Sequence, residues 1–179
     1  MFSVISEAAD ASEVVRLADE CGPEIIVTEI ALSDGSGIDA ARKITARQRK
    51  TGLVFLSGHS DVAYVVSSMK AGGRGYVLKD TADRDLCEAI YAVSGGSTFH
   101  SPVITWLLAQ DCQQRLKEQR NRFVLSEEES EVIQHLAKGK TSLEIAPSLG
   151  LDPSAVEALR FLTLQKVYLG HVEPNRLTR

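Results

Sequence analysis

Cysteine and long apolar runs are scarce in this sequence, and their scarcity excludes several classes of protein. The three cysteines, Cys21, Cys87 and Cys112, are far apart and lack the paired CxxC spacing of a zinc or redox site. No apolar run approaches the ~20 residues that a membrane-spanning helix needs. The four histidines lack the HExxH or triad spacing of hydrolytic sites. We therefore expect no metal, no cofactor, no membrane contact and no enzymatic activity.

Positive charge is also in short supply. The net charge of the 179 residues is −4, so any contact with nucleic acid has to come from a local patch. The first residues, MFSVISEAADASE, turn acidic at once and carry no basic leader before an apolar stretch, unlike a signal peptide. We therefore expect a cytoplasmic protein that has no small-molecule substrate.

Short β-branched runs alternate with amphipathic stretches over residues 1–95, which is typical of βα units in a parallel sheet. The predicted strands are Phe2–Ser6, Ile25–Ile30, Leu53–Ser57 and Gly75–Leu78, and the predicted helices lie at about 10–21, 37–48, 61–71 and 83–94. The small residues of SDGSG suit a tight turn between strand and helix, and GGSTFHSP at 95–102 predicts a loop. This pattern indicates a doubly wound α/β domain at 1–101.

The C-terminal half is predicted to be helical. A linker helix is expected at 102–123, followed by a small all-α domain at 124–179. Ser126 and Glu129 have the spacing of a capping box and open one helix. Asp152 as N-cap and Pro153 at the first helical position open another, after a glycine turn. A short helix, a glycine turn and a second helix predict a helix-turn-helix.

Three motifs in order resemble the receiver domain of two-component response regulators. PEIIVTEIALSDGSGIDAARKI resembles the segment that carries the phospho-acceptor and places Glu29 at the acceptor position. LVFLSGHSD places Ser57 at the switch hydroxyl, and GGRGYVLKD places Tyr76 at the switch aromatic and Lys79 at the lysine of the family. The resemblance implies a receiver-like, flavodoxin-like parallel sheet.

The tail is similar to the LuxR-type helix-turn-helix that follows receivers in the NarL/FixJ response regulators. The matching positions are Leu125, Glu129, Glu131, Val132, Gly139, Glu144, Ile145, Ala146, Leu149, Gly150, Val156 and Lys166. The two resemblances cover nearly the whole chain and imply a transcriptional regulator that binds DNA. The candidate DNA contacts are then Lys140, Ser154, Arg160 and Lys166.

The receiver motifs depart from the family at the acceptor. Glu29 replaces Asp, which moves the carboxylate one methylene further out and spoils the in-line geometry of phosphoryl transfer. The acidic pair that helps to hold Mg²⁺ in the family has no counterpart. Glu29 either mimics a phosphorylated Asp or forms a structural ion pair with Lys79. Ser57 and Tyr76 are either remnants of the switch or ordinary capping and half-buried residues. We expect no switching by aspartyl phosphorylation.

The sequence shows no counterpart of the first receiver strand and helix. That strand is central in the 2-1-3-4-5 order, so its loss would leave neighbouring backbone unpaired. Three alternatives follow: the Phe2–Ser6 strand pairs directly with Ile25–Ile30, another chain covers the edge, or the sequence begins at an internal Met. A homodimer or a heterodimer with another response regulator is therefore expected.

The second helix of the predicted motif is short of cations. Residues 125–179 hold six Lys or Arg against eight Asp or Glu, and Glu157 is expected to repel phosphates. Leu159, Phe161, Leu162 and Leu164 lie on more than one face, so some should be exposed. Two hypotheses remain: a phosphorylation-independent DNA-binding regulator, or an interaction module that pairs with another regulator through its receiver-like domain or its apolar last helix.

Overall fold

The computed structural model describes residues 2–47, 50–118 and 124–170. The chain divides into two compact units, with the division between Ser101 and Pro102. In chain order the elements are α1 (Ala11–Cys21), β1 (Ile25–Glu29), β2 (Ala31–Leu32), β3 (Gly35–Ser36), α2 (Gly37–Arg47), β4 (Gly52–Ser57), α3 (Val62–Lys70), β5 (Gly75–Leu78), a 3₁₀ turn (Lys79–Thr81), α4 (Ala82–Ser94), β6 (Phe99–His100), α5 (Pro102–Glu118), α6 (Glu127–Ala137), α7 (Ser142–Leu149) and α8 (Pro153–Leu169).

A parallel four-stranded sheet forms the centre of the N-terminal unit. Its strand order is β1-β4-β5-β6, and all its neighbouring strands are parallel. Leu53, Val54 and Phe55 on β4 are fully buried, as expected for a strand flanked on both edges and covered on both faces. The predicted receiver-like α/β fold is therefore confirmed.

The predicted strand at Phe2–Ser6 is wrong. These residues have no regular structure, and β1 pairs with β4 on one edge only within the described residues. The ring of Phe2 instead lies 4.6 Å from the ring of Tyr91 on α4. An extended segment is stable in a sheet only when its backbone groups find a partner strand, and here the β-branched Val4 and Ile5 are 80% and 59% exposed. Direct pairing of this segment with β1 is thereby excluded.

Two short elements were missed by the sequence patterns. GGSTFHSP, predicted to be a loop, contains β6, which pairs with β5 through Gly75 and Tyr76. SDGSG is part of a small antiparallel pair, β2 with β3, rather than a simple turn into the helix. Two-residue strands carry too few side chains to show any periodicity, so only the backbone pairing identifies them.

Helices α5 to α8 form the C-terminal unit, which confirms the all-helical prediction for this part of the chain. Val132, Ile133, Ile145, Val156 and Leu164 are all buried at 0–1% exposure and fill its interior. The predicted capping box at the start of α6 is present, with the Ser126 and Glu129 side chains each bonded to the other's backbone N–H. A second capping box, not foreseen, opens α7.

Helix α5, predicted to be a linker, contacts α6 and α8. Its Ile104, Leu108 and Cys112 are fully buried. Gln110 Nε2 donates to the carbonyl of Ala137 on α6 at 2.7 Å, and Tyr168 Oη on α8 donates to the carbonyl of Leu108 at 2.9 Å. Among the described residues no helix is long and apolar enough to cross a membrane.

Candidate switch site and candidate nucleic-acid interface

Glu29 and Lys79 meet at the carboxyl ends of the parallel strands. Glu29 is the last residue of β1, and Lys79 directly follows β5. Lys79 Nζ lies 2.6 Å from Glu29 Oε1, and both side chains are nearly half exposed, at 44% and 46%. The two positions that the receiver resemblance pairs are thus in contact. An ion pair this exposed contributes at most about 1 kcal/mol to stability.

Ser57, the last residue of β4, and Tyr76 on β5 are both buried. Ser57 Oγ accepts a hydrogen bond from the backbone N–H of His59 at 3.0 Å. The phenol of Tyr76 donates to the carbonyl of His59 at 2.8 Å, and burial raises its pKa. Both hydroxyl groups are therefore engaged by the same loop, which follows β4, and Tyr76 is directed inward.

The loop after Glu29 is held from two sides. A Cβ on Gly37 would come within 1.8 Å of the Glu29 carbonyl oxygen, so only glycine allows α2 to begin there. From the other side, Asp34 Oδ1 accepts the backbone N–H of Ala11 at 2.6 Å, and Oδ2 accepts that of Ser12 at 3.2 Å. These bonds to the N-terminus of α1 lower the pKa of Asp34. The backbone around Glu29 is thus anchored to two helices.

The residues present do not fit the Mg²⁺ site of a receiver. Within the described ranges no three His, Cys, Asp or Glu side chains are placed to share a metal ion. One oxygen of the Glu29 carboxylate, Oε1, is already paired with the Lys79 ammonium. We therefore assign no chemistry to a metal here.

Helices α7 and α8 have the geometry of a helix-turn-helix. Gly150 adopts a left-handed backbone, with φ of 65°, and ends α7, as a C-cap glycine commonly does. Two residues later Asp152 caps α8, accepting the backbone N–H of Ala155 at 2.9 Å, and Pro153 opens the helix as predicted. The sequence signals for this motif are each in place.

Arg160 does not face solvent. It is 5% exposed, its Nη2 lies 2.6 Å from Glu157 Oε2, and its Nη1 donates to Thr105 Oγ1 on α5 at 3.1 Å. Burial lowers its pKa, opposed by the charge of Glu157. Glu157 also accepts a hydrogen bond from the Ser142 hydroxyl on α7. The expected phosphate contact from Arg160 and the expected repulsion from an unpaired Glu157 are therefore corrected, because the buried Arg160 and the partly exposed Glu157 neutralise each other.

The other three candidate contacts differ in accessibility. Lys166 Nζ lies 2.9 Å from Glu129 Oε2, in an ion pair whose side chains are 27% and 13% exposed. The Ser154 hydroxyl donates to the capping carboxylate of Asp152. Lys140 is exposed between α6 and α7. Of the four candidates, only Lys140 combines a positive charge with full access to solvent.

The most exposed positions of α8 carry no charge, and the partly exposed Glu157 carboxylate beside them is paired with Arg160. Ser154, Ala158 and Leu162 form the outward face of α8 at four-residue spacing, and Leu162 is 51% exposed. Residues four apart lie on the same side of a helix. Helical spacing alone could have identified this face; what the sequence could not show is that Arg160 and Lys166 turn away from it.

Known proteins resemble the chain over most of its length. The model of the response regulator receiver domain matches residues 1–91. Transcriptional regulatory protein YdfI of Bacillus subtilis (strain 168) is 31% identical over 157 residues, or 88% of this chain and 73% of that protein. Oxygen regulatory protein NreC of Staphylococcus carnosus (strain TM300) is 28% identical over 174 residues, or 94% of this chain and 80% of that protein.

Solved structures show the same architecture. A two-component response regulator of the LuxR family from Aurantimonas sp. SI85-9A1 shares 32% identity and a TM-score of 0.55 over 66% of this chain and 79% of its own. The RcsB response regulator of Salmonella typhimurium superposes with a TM-score of 0.53 at 22% identity, over 96% of this chain and 81% of its own, which bears on the fold alone. The chain belongs to the response-regulator family. Of these relatives, YdfI is named as a transcriptional regulatory protein and NreC as an oxygen regulatory protein.

Proposed function

We propose that this chain is a DNA-binding transcriptional regulator that works without aspartyl phosphorylation. The helix-turn-helix of α7 and α8, with its outward face open to solvent, supports the DNA-binding part. A neighbour of the same fold, RcsB, has been solved as a complex with DNA. The relatives YdfI and NreC, both named as regulatory proteins, agree with a role in transcription.

The ion pair of Glu29 with Lys79 carries the second part of the proposal. A free Asp carboxylate would attack a phosphoryl donor, and a lysine would then bind the transferred group. Here the carboxylate is longer by a methylene and is held by Lys79 at 2.6 Å. Its single charge is smaller than that of a phosphate, but it gives Lys79 the partner that phosphorylation otherwise supplies. Tyr76, directed inward and bonded to the His59 carbonyl, is fixed in one position.

Phosphate attraction in this proposal comes from few residues. Lys138 and Lys140 are exposed between α6 and α7, and neither has a carboxylate within salt-bridge distance among the described residues. Each phosphate contact changes log Kd by about 0.9 for a tenfold change in salt concentration. With these two lysines in contact, log Kd should therefore rise by about two per tenfold increase in salt for each protomer.

A fluorescence-anisotropy titration of the full chain against genomic DNA fragments tests the proposal. We expect binding at about 50 mM salt that weakens towards about 200 mM. Lys140→Ala should weaken binding to every fragment alike. Exposed Lys70 on α3 of the receiver-like unit gives the matched control, since Lys70→Ala removes the same charge from the other unit. A folded chain that binds no fragment at low salt would refute the DNA-binding proposal.

A second function is favoured by one observation, the uncharged outward face of α8 with Leu162 at 51% exposure. Apolar surface of this kind is typical of protein interfaces. In this alternative the chain is an interaction module that pairs with another response regulator. Failure to bind DNA, together with complex formation with such a regulator in light scattering, would favour it.

We also propose that the chain forms a dimer, with itself or with another response regulator. The edge of β1 opposite β4 has no partner strand among the described residues, and Val27 at its middle is 40% exposed. Exposed strand edges readily pair with other chains. RcsB, which has the same fold, has been solved as two dimers bound to two parallel DNAs, which supports dimer formation without identifying the surface used.

A further inference from the structure

We call the outward face of α8, formed by Ser154, Ala158 and Leu162, the reading face. Its chemistry sets what a DNA-binding helix of this kind can recognise. Side chains that read the major groove fall into a few classes: Arg and Lys for guanine, Asn and Gln for adenine, Asp and Glu for cytosine, and apolar groups for the thymine methyl. Each class can be compared with the positions that α8 presents.

Guanine recognition is not available to this helix. Its two cations are Arg160, which is buried against Glu157 and Thr105, and Lys166, which is paired with Glu129 on α6. A cation that leaves such a partner to reach a base loses the ion pair, and in the case of Arg160 also exposes the interior of the unit.

Cytosine recognition is disfavoured for a similar reason, because both candidate carboxylates are already engaged. The two carboxylates of α8 and its cap are Glu157, bonded to Ser142 and Arg160, and Asp152, bonded to the N-terminus of the helix. Both are used in holding the motif together. Gln165, the one amide on the helix, is less exposed than Leu162 and lies three residues further from the N-terminal end, through which helices in the major groove mainly contact bases.

Ala158 and Leu162 remain, and their side chains are aliphatic and exposed. We infer that the reading face recognises thymine methyl groups, so that the chain selects A·T-rich duplex DNA by apolar contact. This inference rests on the DNA binding proposed above. Ser154, whose hydroxyl donates to Asp152, adds no charge to the face.

The experiment begins with the full chain and a pool of duplexes carrying a randomised central segment. Bound duplexes are sequenced, and the most enriched site is then made with deoxyuridine in place of each thymidine in turn. Uracil keeps the hydrogen-bonding groups of thymine and lacks only the methyl. We expect A·T-rich sites, and we expect affinity to fall about threefold to fivefold for each contacted methyl, as burial of one methyl implies.

Two variants connect the effect to the reading face. Leu162→Ala should fold normally, because the side chain is exposed and alanine favours a helix. At the bases that Leu162 contacts, this variant should bind the thymine and uracil duplexes with nearly equal affinity. Lys140→Ala should weaken binding to both duplexes and leave their ratio unchanged.

The outcomes separate this inference from the proposed function. Equal affinity for the thymine and uracil sites, or enrichment of G·C-rich sites, would overturn thymine recognition and leave DNA binding intact. A discrimination that persists unchanged in Leu162→Ala and in Ala158→Ser would overturn the assignment to the reading face. No binding to any duplex by the folded chain would overturn the proposed function and this inference with it.

Discussion

Arg160 is held inside the C-terminal unit by Glu157, with 2.6 Å between Nη2 and Oε2. The pair is unequal, since the Arg160 side chain is 6% exposed and that of Glu157 is 42% exposed. The guanidinium has therefore lost nearly all its water: Nη2 is paired with Glu157 and Nη1 donates to Thr105, whereas Nε is buried without a hydrogen-bond partner among the described residues. This makes Glu157 a structural residue of the helix-turn-helix.

Replacing Glu157 should destabilise the C-terminal unit. Glu157→Gln leaves the buried guanidinium without its counter-charge, and we expect a loss of about 1–3 kcal/mol, below the range for fully buried pairs because Glu157 is partly exposed. Glu157→Lys should cost more, because it adds a second cation beside Arg160. Urea unfolding followed by the fluorescence of Trp106, the single tryptophan of the chain, measures both.

An exposed glutamate elsewhere in the C-terminal unit supplies the control. Glu131→Lys makes the same charge change at an exposed position of α6 beyond its first turn and should change stability by less than about 0.5 kcal/mol. The sequence alone suggested that Glu157→Lys would strengthen DNA binding by removing a repulsive charge. A stable Glu157→Lys protein with raised DNA affinity would restore that interpretation.

Phosphodonors such as acetyl phosphate, with Mg²⁺, should leave the chain unmodified. Glu29 is paired with Lys79, and the described residues offer no set of metal ligands around it. The informative variant is Glu29→Asp, which restores the acceptor type of the family. It should also stay unmodified, because the metal ligands are still missing. Intact-protein mass spectrometry checks both, and a phosphoryl adduct on the parent that disappears in Glu29→Gln would contradict the proposal of phosphorylation independence.

Local signals predicted much of the fold, and the reasons are visible in single residues. Ser126 with Glu129, and Asp152 with Pro153, specify helix starts through bonds between near neighbours, so sequence spacing was sufficient. The segment Phe2–Ser6 shows the opposite case. Its β-branched residues favour a strand, but a strand needs a partner from elsewhere in the chain, and no local pattern reveals whether one is there.

The site was harder to predict than the fold for the same physical reason. The resemblance to receivers placed Glu29 and Lys79 together, because both follow strands of one parallel sheet. Arg160 points into the unit and donates to Thr105, which is 55 residues away in sequence. Its burial also depends on how α8 is rotated about its axis, which the local sequence does not reveal. A count of charges over residues 125–179 assumes that every cation is accessible, but both cations of α8, Arg160 and Lys166, are paired with glutamates.

Stability of the C-terminal unit should fall in acid through its helix caps. Hydrogen bonds from Thr141 lower the pKa of Glu144, and bonds from Ser154 and the Ala155 N–H lower that of Asp152. A carboxyl whose pKa is lower in the folded state stabilises the fold above its unfolded pKa of about 4, and this contribution disappears as pH falls through the folded value. The urea midpoint reported by Trp106 should therefore decrease over this interval.

Neutral caps test the cause of that acid sensitivity. Asp152→Ser and Glu144→Gln keep cap hydrogen bonds without a titrating group, so together they should flatten the pH dependence of the urea midpoint. Asp34, whose pKa is lowered by bonds to the start of α1 in the other unit, supplies the control: Asp34→Asn should leave the Trp106 transition unchanged. An equally steep acid decline in the doubly neutral variant would rule out the caps as its source.

Cys112 tests whether the C-terminal domain begins at Pro102 and includes α5, as we propose. Burial raises the pKa of the Cys112 thiol to about 12, whereas Cys21 and Cys87 are exposed. In a variant that keeps only Cys112, with Cys21→Ser and Cys87→Ser, iodoacetamide at mildly alkaline pH should modify the thiol only after urea unfolds the protein. Tyr168→Phe removes the hydroxyl that bonds to Leu108 and should speed modification severalfold by loosening α5. Rapid modification of Cys112 in the native protein would instead mean that α5 is a linker independent of the domain.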